Sequence, residues 1–242
     1  MKNISSSILL AMAVASSGFA GGPFLSSPGT AIDNVNWSSL GSDGTLFSSG
    51  VTDNSTLGNT TTVTLGTDAT LGGLTSVVCV QTDPSNCSWG YQSSGYNPGD
   101  TLLWFEGLDS NSNAFGTGPV TFSFASNVAG VGEYIQATAA GAFDVTLTLY
   151  NGNTVIGSQA YASDGSGHPL FVGADLSSAT ISSITIAVTS CGSGPCDVND
   201  FSANTLQLYG LTSATPEPAT FALAGTLLAW LAARKRFAKG NN

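Results

Sequence analysis

The chain has 242 residues, only 8% of them charged, and carries a net charge of −10. No Lys or Arg occurs between Lys2 and Arg234, while all fifteen acids lie from Asp33 to Glu217. Such a field repels nucleic acid and anionic lipid, and the composition leaves the interior of the chain no Lys or Arg for a salt bridge.

The first twenty residues read as a secretory signal peptide. Lys2 is the lone cation, Ile8 to Ala15 is the apolar stretch, and Gly18-Phe19-Ala20 places small residues before a cut after Ala20. Residues 21–30 (GGPFLSSPGT) read as a loose leader, and the chain up to about residue 60 has no clear period. Within it, Trp37 to Gly44 (WSSLGSDG) resembles an opening found in many exported β domains, which implies a Trp packed on the domain and a turn at Asp-Gly. No fixed-period repeat divides residues 21–212, so they are expected to form one domain with a core of its own.

Period-two alternation marks the strands. Candidates in chain order are 61–65, 74–80, 102–105, 120–124, 132–137, 145–150, 154–160, 184–188 and 206–208. Val145, Leu147 and Leu149 alternate with Thr146, Thr148 and Tyr150, and Asn151-Gly152 then signals a tight hairpin. The strands are short, β-branched or aromatic, and separated by Gly, Asn, Asp and Ser. No amphipathic helix of convincing length precedes Thr215. The expected fold class is all-β, an antiparallel β-sandwich of jelly-roll type.

Four cysteines suit an oxidising compartment. Three connectivities are possible. Cys79–Cys87 with Cys191–Cys196 is chosen because each pair flanks turn residues, Asp83-Pro84 in one and Gly192-Ser193-Gly194-Pro195 in the other. A four-cysteine zinc site normally needs Cys-x2-Cys knuckles, and neither spacing is that short.

Catalytic signals are weak, and no catalytic residue is assigned. His168 is the sole histidine, in Asp164-Gly165-Ser166-Gly167-His168. Ser166 is too local to serve as a nucleophile held on a separate element, and no Gly-x-Ser-x-Gly elbow exists. A carboxylate pair for glycoside hydrolysis could be drawn from Glu106, Glu133 and the many Asp, but nothing in the sequence marks one. Calcium, which takes oxygen ligands, has better candidates: Glu106 with Asp109, and Asp197 with Asp200. Trp89, Tyr91 and Tyr96 crowd a Gly/Ser-rich loop and form a candidate glycan-stacking group.

The tail has three parts. Pro216-Glu217-Pro218 is rigid and extended, because the prolines fix φ and remove donors. Residues 219–233 (ATFALAGTLLAWLAA) are uncharged and would span about 22 Å as a helix at 1.5 Å per residue. Arg234, Lys235 and Arg236 follow, cations that snorkel and hold their end in the cytoplasm. This arrangement resembles the PEP-CTERM sorting signal of Gram-negative bacteria, over residues 213–242 with a transmembrane span at 219–233 and a basic tail at 234–242. The resemblance implies processing by exosortase, a membrane protease, after transient residence in the inner membrane. The expected destination is the cell envelope, surface or extracellular matrix.

Domains exported with this signal often end in a pattern like Asp-Phe-Ala-Ile-Asp-Asn-Leu. Here Asp200-Phe201-Ser202-Ala203-Asn204-Thr205-Leu206 stands in that place, with Asn204 replacing the second acid. Jelly-roll carbohydrate-binding modules often hold a structural calcium ion with acids from their first and last strands.

The functional expectation is a non-enzymatic structural or adhesive protein of an exopolysaccharide-rich biofilm. The alternatives are a carbohydrate-binding module with a specific glycan, and a secreted hydrolase using a carboxylate pair. Expected partners are the exosortase-like protease and extracellular polysaccharide, not nucleic acid.

Overall fold

The computed structural model describes residues 23–66, 75–81, 96–108, 114–138, 141–166, 168–176, 178–191 and 198–210. Both expected sorting signals, and with them Cys87, Trp89, Tyr91, Asp109, Cys196 and Asp197, lie outside these residues. The described chain is all-β, with a single 3-10 turn at Ser38–Leu40 and no α-helix.

The strands are β1 (Phe24–Leu25), β2 (Asp33–Val35), β3 (Leu46–Ser48), β4 (Val51–Asn54), β5 (Thr60–Thr64) and β6 (Thr75–Val80). β7 (Thr101–Trp104), β8 (Glu106–Leu108), β9 (Ala114–Gly116), β10 (Val120–Val128), β11 (Gly130–Ala137) and β12 (Phe143–Asn151) follow. The last are β13 (Thr154–Ala162), β14 (Leu170–Asp175), β15 (Ile181–Cys191), β16 (Phe201–Ala203) and β17 (Leu206–Tyr209). The first sheet runs β1-β14-β11-β16-β7-β6-β3, with β17 bridging β11 to β2. The second runs β13-β12-β15-β10-β5-β4, and β8 pairs β9 separately. Every described pairing is antiparallel.

Alternation decides what each strand buries. On β12, Phe143, Val145, Leu147 and Leu149 are buried while the residues between them are half-buried or exposed. One apolar cluster joins both sheets. Its aromatic members interlock: Phe105 of the first sheet's side lies 6.3 Å from Phe122 of β10 and 4.9 Å from Phe201 of β16. Trp37 is fully buried, packs 5.6 Å from Phe122 and donates its Nε1–H to the Asn204 carbonyl at 2.8 Å. The outer face of the second sheet carries neutral hydroxyl pairs in place of ion pairs, with Thr121–Thr185 at 2.8 Å and Thr148–Ser158 at 3.2 Å.

Each strand expected from alternation overlaps an observed one. The loose leader expected at 21–30 is corrected, since Phe24–Leu25 forms β1 on β14; the stretch up to about residue 60, read as lacking a clear period, forms β2 to β4, with β2 on β17. These strands have two to four residues, too few to show a period. β14 was hidden for the opposite reason. Phe171 to Ala174 are all buried, so no polar residue alternates with them.

Candidate functional site

Register brings together one acid from each candidate calcium group, Glu106 and Asp200. Ser202 of β16 faces Trp104 of β7, and the Phe105 N–H donates to the Phe201 carbonyl at 2.8 Å. Continuing that antiparallel register by two residues sets Asp200 opposite Glu106. Like charges directly opposite repel, and this pair has no cation nearby in sequence to relieve it. Glu106 is half-buried, and burial first, then the Asp200 charge, push its carboxyl up to about 7. Asp200 is held by neutral donors: Trp104 Nε1–H at 2.9 Å and Thr138 Oγ–H at 2.6 Å, both on Oδ1. The loop carrying it is fixed from behind. A Cβ on Gly116 would collide with the Asn199–Asp200 backbone, so only glycine lets β9 approach this closely.

Two of the four expected calcium ligands, Glu106 on β8 and Asp200 just before β16, therefore stand together. The other two, Asp109 and Asp197, lie outside the described residues. Among the described residues no three His, Cys, Asp or Glu side chains converge. Glu106 and Asp200 alone would give a cation two carboxylates. Asn204, the departure from the family pattern, serves the fold: its Oδ1 accepts the Tyr134 N–H at 3.1 Å.

The expected glycan-stacking role of Tyr96 is corrected. Its ring is fully buried with Cys79 and Leu102, and its hydroxyl pairs with Ser202 Oγ and the Ser202 carbonyl, each at 2.9 Å. It closes a second, smaller apolar cluster over the first sheet and presents no face to a sugar. Cys79 in that cluster and Cys191 at the end of β15 are not free thiols; the expected partners Cys87 and Cys196 lie outside the described residues.

Asp164, Ser166 and His168 do meet, but in the wrong order for nucleophilic catalysis. The Ser166 hydroxyl donates to Asp164 Oδ1, and its oxygen lies 2.8 Å from His168 Nδ1. A triad needs histidine between serine and carboxylate, so that the imidazole takes the serine proton. Here the carboxylate holds that proton. The Ser166 hydroxyl and N–H in turn keep Asp164 below the usual carboxylate range. The three lie in a turn beside a cleft of about 280 Å³ whose other walls include Tyr134 and Phe171.

Three acids are buried in a way sequence reasoning did not foretell. Asp33 is fully buried, which acts to raise its pKa, yet the donors Ser55, Thr56, Leu57 N–H and Asn34 N–H together lower it. Asp53 accepts from Ser39 Oγ at 2.5 Å and from the Asn54 N–H at 2.7 Å. Hydroxyls and amides thus do the work that Lys and Arg would do elsewhere. Glu133 has no such help: both its oxygens are buried without a hydrogen-bond partner, and burial drives its pKa well above the usual value. Its signal was present in the alternation Val131-Glu133-Ile135.

No family model matches the chain, and no curated protein matches it.

Proposed function

We propose that the chain is an exported, non-enzymatic protein, delivered by an exosortase-like system to a Gram-negative cell surface or extracellular matrix, where its jelly-roll-like domain is a structural or adhesive component among polysaccharides. The observation that carries this reading is the ordered tail: Pro216-Glu217-Pro218, fifteen uncharged residues, then Arg234-Lys235-Arg236. Three further features support it. The N-terminal stretch has the form of a signal peptide. The cysteines suit an oxidising compartment. The described chain is an antiparallel β domain whose histidine, serine and aspartate are arranged against nucleophilic attack.

Processing is the decisive test. The surface-located product is expected to lack residues 1–20 and most of the chain after Pro216. Intact-mass analysis of that product reads both ends at once, and a species still containing Phe237 would refute sorting by cleavage.

The Glu106–Asp200 pair supports one addition, a structural calcium ion completed by Asp109 and Asp197. A ligand that binds only the folded state stabilises it by mass action. Calcium is then expected to raise the melting temperature above that in chelator, magnesium to do less because it demands octahedral geometry and keeps its waters, and Glu106→Gln to remove the calcium effect. Equal melting temperatures in calcium, magnesium and chelator would eliminate the ion and leave these acids as solubilising charge.

A further inference from the structure

We propose that β13 is a self-association edge, through which two copies of this chain pair strand to strand and join their second sheets into one. An edge strand presents unpaired N–H and C=O groups, and native proteins blunt such edges with short strands, charge, proline or bulges. Most edges here are blunted by length: β1 has two residues, β2 and β3 have three, and β4 has four including Asp53. β13 has nine residues, TVIGSQAYA, with no charge and no proline.

A register shift opposite Leu149 and Tyr150 distorts its first turn, which leaves Gly157 to Ala162 in regular register against Leu149 to Asp144. In that segment Ser158, Gln159, Ala160 and Ala162 are exposed. Tyr161 anchors it from the inner side, donating its hydroxyl proton to the Gly173 carbonyl at 2.7 Å. Among the described residues only β12 pairs with β13. The Ala160 carbonyl takes a hydrogen bond from the Gln159 side chain at 2.7 Å, a donor supplied by β13 itself rather than by another strand.

A second copy is the occupant that fits. Antiparallel pairing of a strand with its own copy is two-fold symmetric, so one patch serves both partners and the contact closes. A chain of net charge −10 repels its copies at long range, and β13 brings no charge of its own to the contact. Two carboxylates lie at one end of the segment: Asp144 opposite Ala162, and Asp164 two residues beyond Ala162. In an antiparallel pair the two copies of each fall at opposite ends. This inference does not depend on the sorting signal.

Sedimentation velocity over a concentration series, on the full unprocessed chain in mild detergent, provides the test. Ser158→Lys/Ala160→Lys places two cations on the edge. Thr64→Lys/Ala125→Lys places the same charge at exposed positions of β5 and β10, inside the sheet. Both pairs bring the chain nearer to neutrality, so general electrostatics favours association in both. The wild type and the Thr64/Ala125 variant are expected to associate with concentration, and the Ser158/Ala160 variant to remain less associated at every concentration. Amide exchange in 157–162 should slow as the wild-type concentration rises and not in the edge variant. A wild type with no concentration-dependent association overturns the proposal. So does equal association in the edge variant, as does equal loss in both variants. Because the chain is unprocessed, none of these outcomes depends on whether sorting by cleavage is correct.

Discussion

Glu133→Leu is expected to melt above the wild type. Glu133 lies on β11 between Val131 and Ile135, faces Val172 of β14 across the ladder, and all three neighbours belong to the main core. Its relative exposure is 0%, and neither oxygen has a hydrogen-bond partner. A buried polar group without a partner costs roughly 1–3 kcal/mol, and an apolar side chain of similar volume removes that cost. A gain of about 2 kcal/mol corresponds to roughly 4–8 °C in a domain of this size.

The pH dependence separates this cause from better packing. Burial raises the folded-state pKa of Glu133, so the native chain binds its proton more tightly than the unfolded chain does. The stability linked to that proton is complete below the ordinary carboxylate value of 4.5 and falls as pH climbs toward the folded value. Glu133→Gln, which keeps the shape and cannot ionise, should lose that decline along with Glu133→Leu. Any slope that survives up to about pH 7 belongs to Glu106, whose raised carboxyl acts in the same sense. Thermal unfolding of the three proteins between pH 4 and 9 decides the matter. A leucine variant that melts several degrees lower would mean that Glu133 makes a bond essential to the core.

Trp37→Ala is expected to have the largest cost. The residue has 0% exposure, holds Phe122 at 5.6 Å, and ties the start of the domain to the Asn204 carbonyl at 2.8 Å. Large-to-alanine changes of a buried aromatic cost about 3–5 kcal/mol, the lost transfer energy plus the cavity left behind. The expected fall in melting temperature is roughly 10 °C. Trp37→Phe retains most of the ring and removes only the donor, at about 1–2 kcal/mol. The backbone at Trp37 is left-handed, with φ of 61°. A tryptophan there carries a conformational cost of order 1 kcal/mol that glycine would avoid. Trp37→Gly should therefore be no worse than Trp37→Ala despite losing one more carbon. Denaturant unfolding of the four proteins tests the order, and an alanine variant as stable as the wild type would remove Trp37 from the core account.

Several elements were legible because their information is local. The β12–β13 hairpin follows from alternation and from Asn151-Gly152, where Gly152 adopts φ of 57°. The same holds for β10 and β15, whose inward Phe122 and Ile184 meet in register. Trp37 was readable as a packing residue, and Asp43-Gly44 as a turn, where Gly44 has φ of 80° and the Asp43 carboxylate takes the Val80 N–H at 2.9 Å.

The candidate site was legible only by residue type. Glu106 and Asp200 could be named as oxygen donors, but nothing in their spacing says that β7 and β16 pair in a register that sets them opposite each other. Tyr96 failed for a related reason: a tyrosine in a Gly/Ser-rich stretch reads as exposed, whereas its ring is buried and its hydroxyl meets Ser202, 106 positions away.

The sequence by itself determined the class of structure. Alternation with short turns forces antiparallel sheets, because only one face of each strand can be buried. The absence of cations from Lys2 to Arg234 obliges every buried acid to rely on hydroxyls, amides or its own proton. Only the tertiary structure decided which acid takes which course. Asp33 and Asp53 meet donors brought in from the 3-10 turn and the β4–β5 loop and from their own neighbours in sequence. Glu133 meets apolar side chains, because the strands on either side of β11 turn their core faces toward it. A strand's period says that alternate residues share a face. Which face becomes the interior is set by sheet partners far away in the chain.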